Sequence, residues 1–469
     1  MPNLVDRLAG RYSVFAEKGA SVLLMTLATT PQRARFLFAM FEGGGNIPLI
    51  LPIVAALVER GHEVRVLAGP NVRASRRPMS DRFRRRIEAT GATLVVLATP
   101  AIHPFDEARF RGLIAGWTPG WLESLTTNCA PLVWSAAWAA GVRAELERAA
   151  VDVVAADYIL LGALAAAEAA GVAAAALVHG TWKHRPWPGT TPEGANFVPS
   201  RAFLGKLRAA PYNWLTEYRY RRDGLPALVR ARCALGLPPL RSPFDQYDRI
   251  ARVIILASAA FDFPPNPLPA NVRYVGSPLE RGIDSPWRSP WQENDRRPLV
   301  LVSLSTLPQG QAPLMERILA AVGTMPVRAL VTLGPSLDPA RFEAPPNAVL
   351  ETFIPHDRVM PLASAMVTQC GLGTLAKALS TGLPLVFVPL IADQPGNAAL
   401  VAAHGVGIHL PAGASSKRIA GAIDRVLTEP KFRDAALRLA SHIANEDGAQ
   451  NAAAELERLV PVEAAKMAP

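Results

Sequence analysis

Cysteine is nearly absent from this 469-residue chain: Cys129, Cys233 and Cys370 are the only three. They are far apart and odd in number, which argues against a disulfide framework or a cysteine metal cluster, and the chain reads as cytoplasmic. Aromatic residues are scarce at 7%. Stacking platforms and zinc-ligand spacings do not occur, so no nucleic-acid module is indicated. Long uncharged apolar runs are missing as well. The nearest is Tyr158 to Val178, but Glu168 sits inside it and Gly162 and Gly171 interrupt it. It reads as a helix followed by a strand, not as a membrane span. Residues 1–34 hold a weakly basic and then apolar stretch, Lys18 followed by Ala20 to Ala28. The apolar part is short and no small-residue cleavage site precedes the first strand, so an N-terminal extension is expected, with Met25 an alternative start.

Positive charge, by contrast, is in excess. Lys and Arg total 49 against 39 Asp and Glu, a net charge of +10. Arginine is densest between Arg73 and Arg86, where a solvated face is the plainer reading and attraction of an acidic acceptor or anionic lipid the sharper one. The length calls for two domains, each able to bury a core of its own.

Apolar runs and helical spacings alternate along the chain. Arg35 to Phe41 leads through Glu42-Gly43-Gly44-Gly45-Asn46 into a helical pattern from Pro48 to Arg60, then Gly61-His62-Glu63 and a strand from Val64 to Leu67. Strands follow at Thr93–Leu97, Asp152–Ala155, Ala173–Val178 and Arg252–Ser258, with a helix ending at Ala170 between the second and third of them. Such alternation predicts doubly wound parallel sheets. Thr181 to Pro211 reads as a long loop, of a kind more often functional than idle inside an α/β domain. A stretch rich in Pro, Trp and charge runs from Asn271 to Pro298, with 286–298 as the linker. The expected division is an extension at 1–34, a first domain at 35–285, a second domain at 299–445, and a C-terminal helix and tail at 446–469.

The most informative segment is Val367 to Leu410. A strand ends at Gln369, Gly371 and Gly373 permit close backbone approach, and Thr374 opens a short helix. A glycine turn feeding a helix directs unpaired N–H groups and the positive helix end at whatever lies above the strand, which favours an anion such as a diphosphate. Asp393-Gln394 lies at the carboxyl end of the next strand, the edge where open parallel sheets bind ligands. Tight packing alone would also explain a lone Gly-x-Gly; the added Asp393, Gln394 and Asn397 favour the site.

These residues resemble the nucleotide-sugar signature of the family 1 GT-B glycosyltransferases, of the bacterial macrolide and natural-product type. The pattern H-x-G-x-G-T-x-x-E-A-L, then P-x-x-x-D-Q-x-x-N-A, is matched at Gly371, Gly373, Thr374, Ala378, Leu379, Pro389, Asp393, Gln394, Asn397 and Ala398. Its histidine is Gln369 here and its glutamate Lys377; glutamine still donates to a phosphate, but lysine cannot accept from a ribose hydroxyl. The resemblance implies a fold of two Rossmann-like doubly wound domains facing a central cleft, with the last helix crossing back onto the first domain. It implies Ser305 and Thr306 as phosphate-facing hydroxyls, Phe353 and His356 at the base, and Asp393 and Gln394 on the donor sugar. For Phe353, plain core burial is the competing reading.

The activity implied is inverting transfer from a UDP- or dTDP-sugar to a hydroxylated natural product or lipid. No metal and no bound cofactor is needed, the nucleotide sugar being a co-substrate. Chemistry of this kind requires a base for the acceptor proton. The resemblance puts Asn46 where many members carry a catalytic histidine, and an amide cannot take a proton at neutral pH. The other candidates are His179, the first choice, at the carboxyl end of a strand, and His103, Asp106 and Glu107 after the strand Thr93–Leu97; an already acidic acceptor would need no base. His62, in a helix-to-strand turn, reads as structural. Two further readings are a catalytically impaired relative serving as a ligand-binding or auxiliary protein, and a nucleotide-sugar epimerase of the same fold, which leaves the Asp393-Gln394-Asn397 spacing unexplained. Peripheral membrane contact is allowed, and the chain would be a monomer or homodimer.

Overall fold

The computed structural model describes residues 33–461 except 44, 70–78, 98–128, 189, 191–194, 196, 199, 201, 281–286, 305–308, 335 and 392. The extension at 1–32, including Met25, and Asp106, His103, Glu107, Ser305 and Thr306 therefore lie outside the described residues.

The first domain contains β1 (Arg35–Phe41), α1 (Ile47–Glu59), β2 (Glu63–Gly69), α2 (Asp81–Glu88), β3 (Thr93–Val96), α3 (Ser135–Arg148), β4 (Val153–Asp157), α4 (Leu161–Ala169) and β5 (Ala173–Val178). α5 (Phe203–Asp223), α6 (Leu225–Ala234), β6 (Arg252–Ile255) and β7 (Val272–Tyr274) complete it. Its seven strands are all parallel in the order β3-β2-β1-β4-β5-β6-β7. Chain order reverses between β1 and β4, and at such a switch point the two crossovers leave in opposite directions and open a crevice above the carboxyl ends. Burial on both faces explains why β4 and β5 read as unbroken Val-Ala runs.

The second domain runs through β8 (Leu299–Ser303), α7 (Ala312–Gly323), β9 (Arg328–Thr332), β10 (Ala348–Glu351), α8 (His356–Val359), β11 (Ala365–Thr368) and α9 (Leu372–Ser380). It continues through β12 (Leu385–Phe387), α10 (Gln394–Ala403), β13 (Gly407–His409), α11 (Ser416–Thr428) and α12 (Pro430–Ile443). The six parallel strands are ordered β10-β9-β8-β11-β12-β13, with the reversal between β8 and β11. Each sheet has its own apolar core. The last helix, α13 (Gly448–Glu457), lies on α1 of the first domain. There Glu457 binds Arg60 at 2.6 Å and His62 at 2.8 Å, and Asn451 donates to the Val275 carbonyl at 3.0 Å. His62 is thus a structural residue, packed edge-on against Phe36.

Two expectations change. Thr181 to Pro211 is not loop throughout, because α5 begins at Phe203 and carries Pro211 in its interior. The Ala, Leu, Arg and Lys content around Pro211 and the buried face ending at Tyr220 outweigh the one hydrogen bond a proline removes. The stretch from Asn271 does not begin as linker either: Val272–Tyr274 pairs with β6 and closes the sheet edge. The Tyr158–Val178 run is a helix then a strand as read, and among the described residues no helix is long and apolar enough to cross a membrane. The described part of the arginine cluster is the outer face of α2, whose Phe83 and Ile87 are buried while Arg86 pairs with Glu280.

Two outcomes test this packing. A Cβ at Gly162 would lie 1.9 Å from the Ser135 carbonyl oxygen where α3 meets α4, so Gly162→Ala is expected to cost about 1–3 kcal/mol in denaturant unfolding. The pKa of Glu457 is set by burial, which raises it, against hydrogen bonds from His62 and Arg60, which outweigh burial and hold it below the ordinary glutamate value. A depressed folded-state pKa stabilises above the unfolded value and is lost as pH falls through the folded one. Melting temperature should therefore drop through and below the ordinary glutamate range, and Glu457→Gln should flatten that acid limb.

Candidate active site

The first half of the site is built where β1 and β4 part. Asn46 follows β1 and ends the glycine turn that starts α1; Asp157 is the last residue of β4; His179 directly follows β5. Strand register brings the three carboxyl ends side by side, with Ala39 opposite Ala156 and Asp157 opposite Leu177. The Asp157 carboxylate is fully buried. It accepts from Asn46 Nδ2 at 2.9 Å and from the Ile159 N–H at 3.3 Å, and lies 3.4 Å from His179 Nε2. Asn46 spends its other Nδ2 proton on the Phe41 carbonyl at 2.9 Å, which leaves its buried Oδ1 without a hydrogen bond. The T-shaped contact with Tyr158, 5.1 Å between centroids, fixes the His179 ring. At 3.4 Å the Asp157 oxygen is close to His179 Nε2, which makes no hydrogen bond in this geometry.

The second half lies at the reversal between β8 and β11, where Ser303 and Thr368 are register partners. Gly371 is the N-cap of α9 and no side chain caps that helix. The first-turn N–H groups of Leu372, Gly373 and Thr374 thus have no intrahelical acceptor. Cys370, the residue before the cap, has φ 67°, the only positive non-glycine φ among the described residues. Strain of that kind persists where the surroundings over-determine it, and here buried Asn397 does so. Its Nδ2 donates to the Cys370 carbonyl at 3.0 Å and to Asp393 Oδ2 at 2.8 Å. Burial, with Asp393 nearby, pushes the Cys370 thiol up and keeps it unreactive.

Asp393 is half-buried at the start of α10 and spends one oxygen on Asn397. Gln394 is buried and largely committed to the loop itself: its Oε1 accepts from the Leu390 and Ile391 N–H groups at 2.9 and 3.1 Å. Its Nε2 donates to Gln309 Oε1 at 3.0 Å, joining this loop to the one after β8. Gln369 is buried beneath the turn, accepting from Thr368 Oγ1 at 3.3 Å, and its Nε2 lies 3.1 Å from where a Gly371 Cβ would be. His356 opens α8 with Nε2 3.4 Å from Thr332 Oγ1. Burial first, and Lys377 second, push its pKa down to about 4, so it is a neutral ring at pH 7. Phe353 is 53% exposed, which rules out core burial and leaves its ring open beside His356.

The halves face each other. A Cβ at Gly373 would lie 3.7 Å from Pro48 in the first turn of α1, two residues beyond Asn46. The Asn46 turn on one side thus meets a glycine-bounded helix start on the other. Asp157 was missed in the sequence, although a lone carboxylate closing an otherwise apolar strand is a readable signal. Gln309 lies in the loop after β8, and its bond to Gln394 spans 85 positions and has no local signature.

Residues 316–459 match the family described as Erythromycin biosynthesis protein CIII-like, C-terminal domain. The chain is 30% identical over 446 residues to the 4'-demethylrebeccamycin synthase of Lentzea aerocolonigenes, covering 91% of this chain and all of that relative. It belongs to the family 1 GT-B glycosyltransferases. Like its natural-product relatives, this glycosyltransferase transfers a sugar to a small-molecule acceptor. Among solved folds, the glycotransferase of kitacinnamycin superposes with a TM-score of 0.70 at 19% identity, over 92% of this chain and all of that one. The glycosyltransferase VinC, solved in complex with DTDP, gives 0.63 at 18% identity, over 91% and 99%. Nothing in these relationships favours a partner protein without turnover.

In this glycosyltransferase Asn397→Ala strands the buried Cys370 carbonyl and one Asp393 oxygen, a loss of about 1–3 kcal/mol. Denaturant unfolding should show that cost, and Cys370 should become measurably more reactive toward a maleimide.

Proposed function

We propose that the enzyme is an inverting transferase in which His179 is the base and Asp157 its positioning partner. The observation that carries this is the buried Asp157 carboxylate, 2.9 Å from Asn46 Nδ2 and 3.4 Å from His179 Nε2. On this reading Asp157, 3.4 Å from Nε2, closes on that nitrogen as an N–H when substrate binds, and Nδ1 takes the acceptor hydroxyl proton as its oxygen attacks the anomeric carbon. Asn46, its amide clamped at both protons, fixes the position of the Asp157 carboxyl group beside His179. The leaving diphosphate is met by the N–H groups of Leu372, Gly373 and Thr374, the positive end of α9 and the Gln369 amide. Ser305 and Thr306 are proposed as additional hydroxyl donors to it.

The free oxygen of Asp393 takes donor-sugar hydroxyls, with Gln394 bracing the loop behind it. Phe353 and neutral His356 take the base, and Lys377 beside them replaces an acceptor for a ribose diol by a donor. That exchange favours a deoxyribose over a ribose nucleotide, hence dTDP over UDP, in keeping with the DTDP complex of one fold neighbour. On this scheme charge on the leaving group is neutralised by fixed N–H groups, and no metal or bound cofactor has a part.

The test is turnover with dTDP- and UDP-sugars across an acceptor panel. His179→Ala should lower kcat/KM by about a hundredfold or more, while the thermal shift produced by dTDP stays that of the parent. Asp157→Asn should lose comparable activity. Unchanged turnover in His179→Ala at every pH would refute the assignment, and a base among His103, Asp106 and Glu107 would then be sought by the same substitutions.

A further inference from the structure

Helix α5 buries one face, which includes Thr216 and Asp223, and leaves an apolar stripe exposed on the other. Its buried side is marked by Ala209, Thr216 and Tyr220. At about 100° per residue, Phe203, Leu204, Leu207, Trp214 and Tyr218 fall together on the opposite side. Their exposures are 78%, 76%, 59%, 67% and 45%. Single exposed apolar residues are ordinary, but a stripe of five along about 22 Å of helix marks an interaction surface. Trp214 and Tyr218 are already stacked, 5.6 Å apart and 11° from parallel, as one flat plate.

Charge decides what covers this stripe. α5 carries Lys206, Arg208, Arg219, Arg221 and Arg222 against Glu217 and Asp223, a net of +3. Both acids are engaged within the helix, Glu217 with Arg221 and Asp223 with Arg219, each at 3.0 Å. A second copy of the chain would bring the same excess of positive charge against this one. An anionic lipid surface meets every feature at once. The apolar stripe enters the boundary between headgroups and acyl chains, Trp and Tyr sit at headgroup level, and the basic side chains reach lipid phosphates. We propose that α5 docks this protein on anionic phospholipid bilayers, lying in the plane of the interface.

Flotation of the full chain with vesicles tests this. Protein should float with equal parts phosphatidylcholine and phosphatidylglycerol, and bind vesicles of phosphatidylcholine alone about tenfold more weakly. The variant L204S/L207S/W214S/Y218S should lose binding by at least about tenfold, with melting temperature and dTDP-induced shift retained. A charge-only variant, K206E/R221E, should weaken binding to the anionic vesicles and leave the neutral ones unaffected. Failure of the parent to float would overturn the proposal, as would undiminished flotation of the four-serine variant. So would a parent dimer that the four-serine variant dissolves, since the stripe would then be an interface between copies.

Discussion

The site depends on a buried carboxylate. Asp157 is wholly inaccessible and surrounded by the apolar core of the first sheet, a placement that costs several kcal/mol for a carboxyl group unless donors compensate it. Two are supplied, by the turn after β1 and the backbone after β4, and the ring after β5 lies 3.4 Å away. Each donor arrives only if its strand is in register with its neighbour, so the carboxylate ties sheet register to side-chain geometry. Because those elements meet at the chain reversal between β1 and β4, the pivot sits in the crevice where a substrate enters.

The opposite wall solves a different problem, that of holding backbone N–H groups in place for an anion. Cys370 in a left-handed conformation, Asn397 bracing its carbonyl and Gln394 bridging to Gln309 form one continuous network beneath the turn. Most of the matched signature residues are thus scaffold. Gln394 spends its polar atoms on the protein and Asn397 its Nδ2, while the first-turn N–H groups of α9 and one oxygen of Asp393 are left without such a bond. Preorganisation of this kind spares the site reorganisation during transfer.

Much of this was legible in the sequence, and for identifiable reasons. β1, β5 and β8 could be bounded because apolar runs end abruptly at polar or glycine residues, and the Gly371–Thr374 turn because glycine spacing reports close backbone approach. What was not legible was pairing across long distances. Asp157 lies 111 positions from Asn46, and only the strand order makes them neighbours. Pro211 concealed the start of α5, since its local meaning is a break and only the packing of the surrounding helix overrides it. Three residues of β7 carry too little periodicity to stand out from the proline-rich stretch that contains them.

Asn46 Nδ2 and His179 Nε2 both approach the same Asp157 oxygen, Oδ2, at 2.9 and 3.4 Å, and on the proposed assignment that acid serves an imidazole from a different strand than the family pattern provides. This account makes Asp157 the fixed point and the position of the imidazole the variable. The most direct measurement is therefore turnover of the double variant Asn46→His/His179→Ala beside His179→Ala alone. An imidazole restored at position 46 and oriented by the same carboxylate should recover activity well above the single variant. A folded double variant that binds dTDP but turns over no faster than His179→Ala would contradict the claim that Asp157 organises the base.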